Sequence, residues 1–309
     1  MPHLPTRRSM ADLDHGGRTR AASAHGTIRG WLTRLVVLLA AVALIEATSA
    51  APALASQPRH PAQYYLSLGD SLAFGYQPNQ VDTNPANFRS YAEDYAAFTP
   101  RLRLVNYGCP SETTGTFING GCPWTATDHL PLHNSYGTAT SQLGATEAFL
   151  TAHRGQVSLV SLDLGNNDLL ALVYGCEAGE PSNLLTCIET GLPGTLSTMA
   201  TNLGRILATV HQLAPNAQIA LFNLYNPLAL ALPGSDALIA VVNQQLAKLA
   251  TAYDARLVNA FGAINIKAGS FAEKISVCVL TWECTSKPNI HPTTLGYFAL
   301  TGALARAVR

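Results

Sequence analysis

Charge is scarce in this chain: charged residues make up 12% of its 309 positions, with 19 Lys and Arg against 19 Asp and Glu. Nucleic-acid binding draws on an excess of basic groups, so a nucleic-acid partner is not expected. A hydrophobic content of 48% without net charge also excludes an intrinsically disordered chain. Neither G-x-x-x-x-G-K-[ST] nor G-x-G-x-x-G occurs, which leaves a nucleotide without a phosphate cradle. No cofactor is called for. No two cysteines have the C-x₂-C spacing of a structural zinc site, so no metal is expected.

What is present begins with an address. Basic Arg29 and Arg34 precede an apolar run over residues 35–45, followed by a small-residue tract ending Ala53-Leu54-Ala55. That order reads as a secretory signal peptide cut after Ala55. The run falls short of the roughly 20 residues that a helix needs to span a bilayer, so no transmembrane anchor is expected in the mature form. Arg7-Arg8 stands too far from the run to read as a twin-arginine signal, and no cysteine precedes Cys109 to carry a lipid. The expected division is therefore a leader over 1–55 and one domain over 56–309, with 13 basic against 16 acidic residues in the latter.

All six cysteines, Cys109, Cys122, Cys176, Cys187, Cys278 and Cys284, lie in that domain. An even count behind a secretory signal reads as disulfides. Fifteen pairings are possible; sequence neighbours give 109–122, 176–187 and 278–284. Each such loop contributes up to roughly 3 kcal/mol in the chain-entropy account.

Short apolar runs alternate with segments of helical period. Strands are expected over 64–69, 102–107, 157–164, 218–223 and 256–260. Helices are expected over 88–98, 139–153, 196–213, 236–253 and 295–308. In the third of these, Leu196, Met199, Leu203, Ile206, Leu207 and Val210 share one face. Strand–helix alternation implies a parallel sheet covered on both sides. Two stretches rich in Gly, Pro, Ser and Thr, about 109–138 and 175–194, read as long loops on the carboxyl side of the sheet, where open α/β sheets bind ligands.

Four short blocks carry the chemistry. Gly69-Asp70-Ser71-Leu72 closes the first strand, Asn106-Tyr107-Gly108 follows the second, Gly165-Asn166-Asn167-Asp168 follows the third, and His291-Pro292 precedes the last helix. Taken singly, each has an ordinary explanation: a helix cap, a turn glycine, an Asx turn, a surface histidine. Together and in this order they resemble the GDSL or SGNH hydrolase family, from Ser71 to Tyr297. The three-cystine form is similar to the family's secreted bacterial lipases and esterases.

The resemblance implies a three-layer α/β/α sandwich around a five-stranded parallel, flavodoxin-like sheet. It implies Ser71 as nucleophile and His291 as general base. The N–H groups of Ser71 and Gly108 and the Asn167 amide would form an oxyanion hole. The family usually places an acid three residues before the histidine, but Pro288 stands there. The Pro288 carbonyl, the Asn289 side chain and Glu283 are candidates to orient His291, and the carbonyl is the expected one. Asp70 and Asp168 read as structural acceptors for loop N–H groups.

The implied activity is hydrolysis of small-molecule or lipid carboxylic esters by a secreted monomer. A carbohydrate O-acetyl esterase is the second reading, and a non-catalytic surface-binding module on the same scaffold is the third. Residues 169–174 and 228–232 could line an acyl groove or simply be buried helix. His129 and His133, split by Pro131, read as loop histidines rather than metal ligands.

Overall fold

A computed structural model describes residues 63–80, 84–179, 181–232 and 234–309. The expected leader, with its cleavage site, lies outside the described residues. Strand β1 (Gln63–Gly69) leads into the short helix α1 (Ser71–Phe74), followed by α2 (Tyr91–Phe98) and β2 (Leu102–Asn106). Helices α3 (Thr114–Asn119), α4 (Pro123–Ala126) and α5 (Gln142–Ala152) then precede β3 (Val157–Asp163). Helices α6 (Asn166–Gly179) and α7 (Leu184–Leu213) lead to β4 (Gln218–Phe222), and α8 (Ser235–Ala252) to β5 (Arg256–Val258). Helices α9 (Ala260–Ile264), α10 (Phe271–Leu280) and α11 (Thr294–Ala307) complete the chain.

The five strands form one parallel sheet in the order β2-β1-β3-β4-β5. Side chains alternate across a strand, and both faces are apolar. Leu66, Leu68, Val160 and Leu162 point to one side and pack with Leu143, Leu203, Leu207 and Leu246 of α5, α7 and α8. Tyr65, Leu159, Ala220 and Phe222 point to the other and pack with Tyr91, Tyr297 and Leu300 of α2 and α11. The strand order reverses between β1 and β3. That switch point opens a crevice at the strands' carboxyl ends, and the first and third sequence blocks sit on its two sides.

The expected strands and helices recur with shifted ends, and one expected loop does not. Residues 175–194 are largely helical: α6 runs to Gly179, and α7 starts at Leu184 and continues through Pro193. Ile188 and Leu192 are buried and extend the apolar stripe of α7 backwards, so burial overrides the breaker-rich composition. The stretch 109–138 also holds two short helices, α3 and α4. All three expected disulfides are present, Cys109–Cys122, Cys176–Cys187 and Cys278–Cys284. Among the described residues, no helix is long and apolar enough to cross a membrane.

Candidate active site

The turn after β1 is shaped by close approach to β3. Gly69 adopts φ +139°, and a Cβ there would overlap the Asp163 carbonyl. The Asp70 N–H donates to that carbonyl at 3.1 Å. Asp70 caps α1, its Oδ1 accepting from the Leu72 N–H at 2.9 Å. Ser71 is thereby the first residue of α1, a position whose N–H has no acceptor within the helix. That N–H makes no hydrogen bond to any described residue.

A buried amide steadies the same turn from below. Gln142 Oε1 accepts from the Gly69 N–H at 2.7 Å, and its Nε2 donates to the Gly69 carbonyl at 3.0 Å. Nε2 also reaches Glu112 Oε2 at 3.1 Å, linking the nucleophile turn to the turn that follows β2.

His291 lies in the loop between α10 and α11. The Cys278–Cys284 bridge secures this loop, as do the Trp282 N–H to the His291 carbonyl at 3.0 Å and the Tyr225 hydroxyl to the Ile290 carbonyl at 2.6 Å. His291 Nε2 stands 2.8 Å from Ser71 Oγ. Its Nδ1 stands 2.6 Å from Asn289 Oδ1. The backbone carbonyl of Pro288, expected from the sequence, is therefore not the partner; the Asn289 side chain is. Asn289 Oδ1 also accepts from the His291 backbone N–H at 3.1 Å. A backbone N–H can only donate, so the amide's oxygen must be the atom facing the ring. Nδ1 then carries the proton and Nε2 is left bare towards Ser71. Glu283 has no hydrogen bond to His291; its own N–H donates to Thr281 Oγ1 at 3.3 Å. Burial lowers the His291 pKa to about 4, so the ring stays neutral down to acidic pH.

The two remaining donor candidates differ. Asn167 opens α6 beside Ser71, and its Nδ2 donates to the Glu112 carbonyl at 2.9 Å, with Asp70 Oδ2 at a loose 3.4 Å. One N–H of the amide is thus anchored and the other weakly held. Gly108 does not match the expectation. Its N–H donates to Asn106 Oδ1 at 2.8 Å, closing an Asx turn, and so is spent. What requires glycine there is packing, since a Cβ would come within 2.6 Å of the Phe74 nitrogen.

Three residues on, the exposed Ser111 adopts φ +67°, and its N–H has no partner among the described residues. Such a backbone costs a non-glycine residue about 1 kcal/mol or more. Ser111→Gly should therefore raise the unfolding free energy by about 1 kcal/mol while keeping the N–H; an unchanged or lower denaturant midpoint would contradict this.

Asp168 accepts from the Thr114 N–H at 2.9 Å and the Thr114 hydroxyl at 2.6 Å. Like Asp70, it braces a loop, as expected. His133 Nε2 lies 2.9 Å from the Phe74 carbonyl, whereas His129 is exposed. Among the described residues, the one set of three His, Cys, Asp or Glu groups close enough together to share a metal ion is Cys109, Glu112 and Cys122, and its two sulfurs are bonded to each other.

Buried acids surround the nucleophile turn. Burial pushes Asp70 and Glu112 up to about 7 and Asp163 well above the usual carboxylate range. These groups are protonated in the fold at pH values where the unfolded chain has already lost the proton. The contribution of Asp70 and Glu112 is complete below about pH 4 and is lost as pH rises through about 7, and that of Asp163 changes in the same direction. His291 acts in the opposite sense, costing stability as pH falls from 6.5 to about 4. Because the acids outnumber the one histidine, the melting temperature should be higher at pH 5.5 than at pH 8. A thermal scan giving the reverse order would refute this balance.

An apolar groove leads away from Ser71 and His291. Its walls include Leu169, Leu172 and Val173 of α6, Ile188 and Leu192 of α7, and Val242 of α8. Leu228 and Leu232 contribute from the segment after β4. Both leucine-rich stretches noted in the sequence therefore line the groove.

The sequence profile of the GDSL-like lipase/acylhydrolase family matches residues 67–299. Among solved structures, phospholipase A1 from Streptomyces albidoflavus is 17% identical with a TM-score of 0.55, over 80% of this chain and 99% of that one. A lipase from a goat rumen metagenome is 15% identical with a TM-score of 0.51, over 79% and 97%. At such identities the likeness is one of fold. No curated protein sequence matches the chain. With the profile covering most of the chain, the protein belongs to the GDSL-like lipase/acylhydrolase family, a family of ester hydrolases.

Proposed function

We propose that the protein is a secreted, monomeric serine esterase of lipase type that cleaves carboxylic esters with extended apolar acyl chains. The observation that carries the reading is the Ser71–His291 pair, 2.8 Å apart at the head of an apolar groove. Ser71 Oγ attacks the ester carbonyl while His291 Nε2 takes its proton. The oxyanion receives the Ser71 N–H and the loosely held N–H of Asn167. In place of Gly108, the open N–H of Ser111 serves as the third donor, beside the Glu112 carbonyl that anchors Asn167. Removing one such donor costs about 2.7–4 kcal/mol of transition-state stabilisation. The tetrahedral adduct collapses, His291 gives its proton to the departing alcohol, and water then releases the acid from Ser71. The leader sequence and the three disulfides support secretion.

The groove favours this reading over a sugar deacetylase, because an acetyl group would leave most of its leucine lining unused. Each buried methylene contributes about 0.8 kcal/mol. With nitrophenyl esters, kcat/KM should therefore rise about three- to fourfold per added methylene until the groove is filled. Activity confined to acetate would instead favour the sugar ester.

A further inference from the structure

Helix α10 is apolar on the side that faces water. Glu273, Ser276 and Val277 are its buried residues, while Phe271, Ile275 and Val279, spaced four apart along one stripe, are 76%, 51% and 49% exposed. The stripe continues past the helix end. The Thr293 hydroxyl donates to the Val279 carbonyl at 3.0 Å, Gly296 packs on the Leu280 carbonyl, and Leu295 between them is 59% exposed. Exposed apolar surface of this continuity marks an interaction face.

The exposed charge along this segment of the chain is mostly basic. The whole chain has four lysines, and three of them, Lys267, Lys274 and Lys287, are exposed in or beside this segment. Acids are nearly absent: between residues 259 and 309 only Glu273 and Glu283 occur. Glu273 is buried, accepting from Asn265 Nδ2 at 3.0 Å and from the Gly269 N–H at 2.7 Å. Glu283 is partly buried. An apolar helix face bordered by lysines suits the boundary of an anionic lipid layer, where the side chains enter the acyl region and the ammonium groups meet the head groups.

The place of α10 in the fold fits that occupant. Its last turn is tied by Cys278–Cys284 to the loop that ends in His291. Its flank packs against the turn Pro227–Ala229, whose Pro227 and Leu228 line the groove. A layer held on α10 thus lies next to the elements that form the groove. We propose that the exposed face of α10, with Leu295, docks the protein on anionic lipid surfaces. This adds a docking step to the esterase reading without depending on it, since docking needs neither Ser71 nor a cleavable bond.

The test is flotation of the full chain carrying Ser71→Ala with vesicles of phosphatidylglycerol and phosphatidylcholine, beside vesicles of phosphatidylcholine alone. The parent should bind the anionic vesicles more tightly. Phe271→Ser with Ile275→Ser should weaken that binding at least about tenfold. Lys274→Glu should weaken it on anionic vesicles and leave neutral vesicles unaffected. All variants retain residues 1–62, so differences between them report the α10 face. With Ser71 restored, hydrolysis of a soluble short-chain ester should stay within about twofold of the parent. Equal binding by parent and variants overturns the proposal. So does a dimer that the substitutions dissolve, which would mean that a second copy covers the face. Loss of soluble-ester hydrolysis in Lys274→Glu, an exposed position, would also overturn it.

Discussion

Ser71→Ala is expected to lower ester turnover by about 10⁶-fold, the largest effect of any single substitution in this protein. In the proposed mechanism the hydroxyl is the atom that bonds to the substrate, and its partner at 2.8 Å is the Nε2 of His291. The two act as one unit, so His291→Ala should cost about as much, and the double variant no more than either alone. Residual catalysis of about 10³-fold over water should survive in all three, supplied by the oxyanion donors. Folding should be nearly untouched, because the lost hydroxyl leaves a small gap and strands no fully buried partner. A fluorophosphonate should label the parent at Ser71 and leave the variant unlabelled. Labelling at another serine, or a variant within 100-fold of the parent, would place the nucleophile elsewhere. A parent that resists labelling would return the scaffold to the surface-binding reading.

Most of the sheet was legible in the sequence because its inner strands β1, β3 and β4 are short and largely buried on both faces, and each of the five ends at or within two residues of a glycine or asparagine. Tyr65 and Leu66 face opposite helical layers, so the run containing them is apolar without alternation. The segment 175–194 was not legible from composition. Gly191, Pro193 and Gly194 argue for a loop, and only the buried positions Ile188 and Leu192, in step with Leu196 and Met199, betray the helix. Helix α10 escaped for the opposite reason: its most apolar positions point outward, so its pattern does not mark a core-facing side. At the site, the motifs single out Ser71, Asn167 and His291, and the fold brings these three to one groove.

For Gly108 the structure differs from what the resemblance implies, and the signal for that difference lies two residues earlier. Asn106 before a turn glycine is the pattern of an Asx turn, and that turn consumes the N–H in question. Ser111 carried no such mark, since a serine in a left-handed turn is visible only as a backbone angle. The choice between Pro288 and Asn289 turned on the path of three residues of loop, which no residue type dictates.

Asn289 therefore supports the second large prediction. Asn289→Ala should reduce turnover by about 10³-fold at pH 8, because it frees the imidazole to adopt the wrong tautomer and to rotate away from Ser71. The His291 backbone N–H fixes the amide oxygen towards Nδ1, so the wild-type protein already has the productive tautomer. What an amide cannot supply is a full negative charge against the imidazolium that forms during attack. Asn289→Asp adds that charge with little change of shape. A charge-assisted hydrogen bond exceeds a neutral one by about 1–1.5 kcal/mol, so turnover at pH 8 should rise about tenfold.

The same charge must favour protonated His291 in the free protein. Catalysis needs the neutral ring, so the acid limb of kcat/KM, set near pH 4 by burial in the wild type, should move upward in the aspartate variant. The two pH profiles should then cross: the aspartate variant faster at pH 8, the wild type faster near pH 5. A uniform change at every pH would mean that residue 289 holds the loop without touching the protonation of His291, and the hydrogen bond to Nδ1 would lose its catalytic meaning.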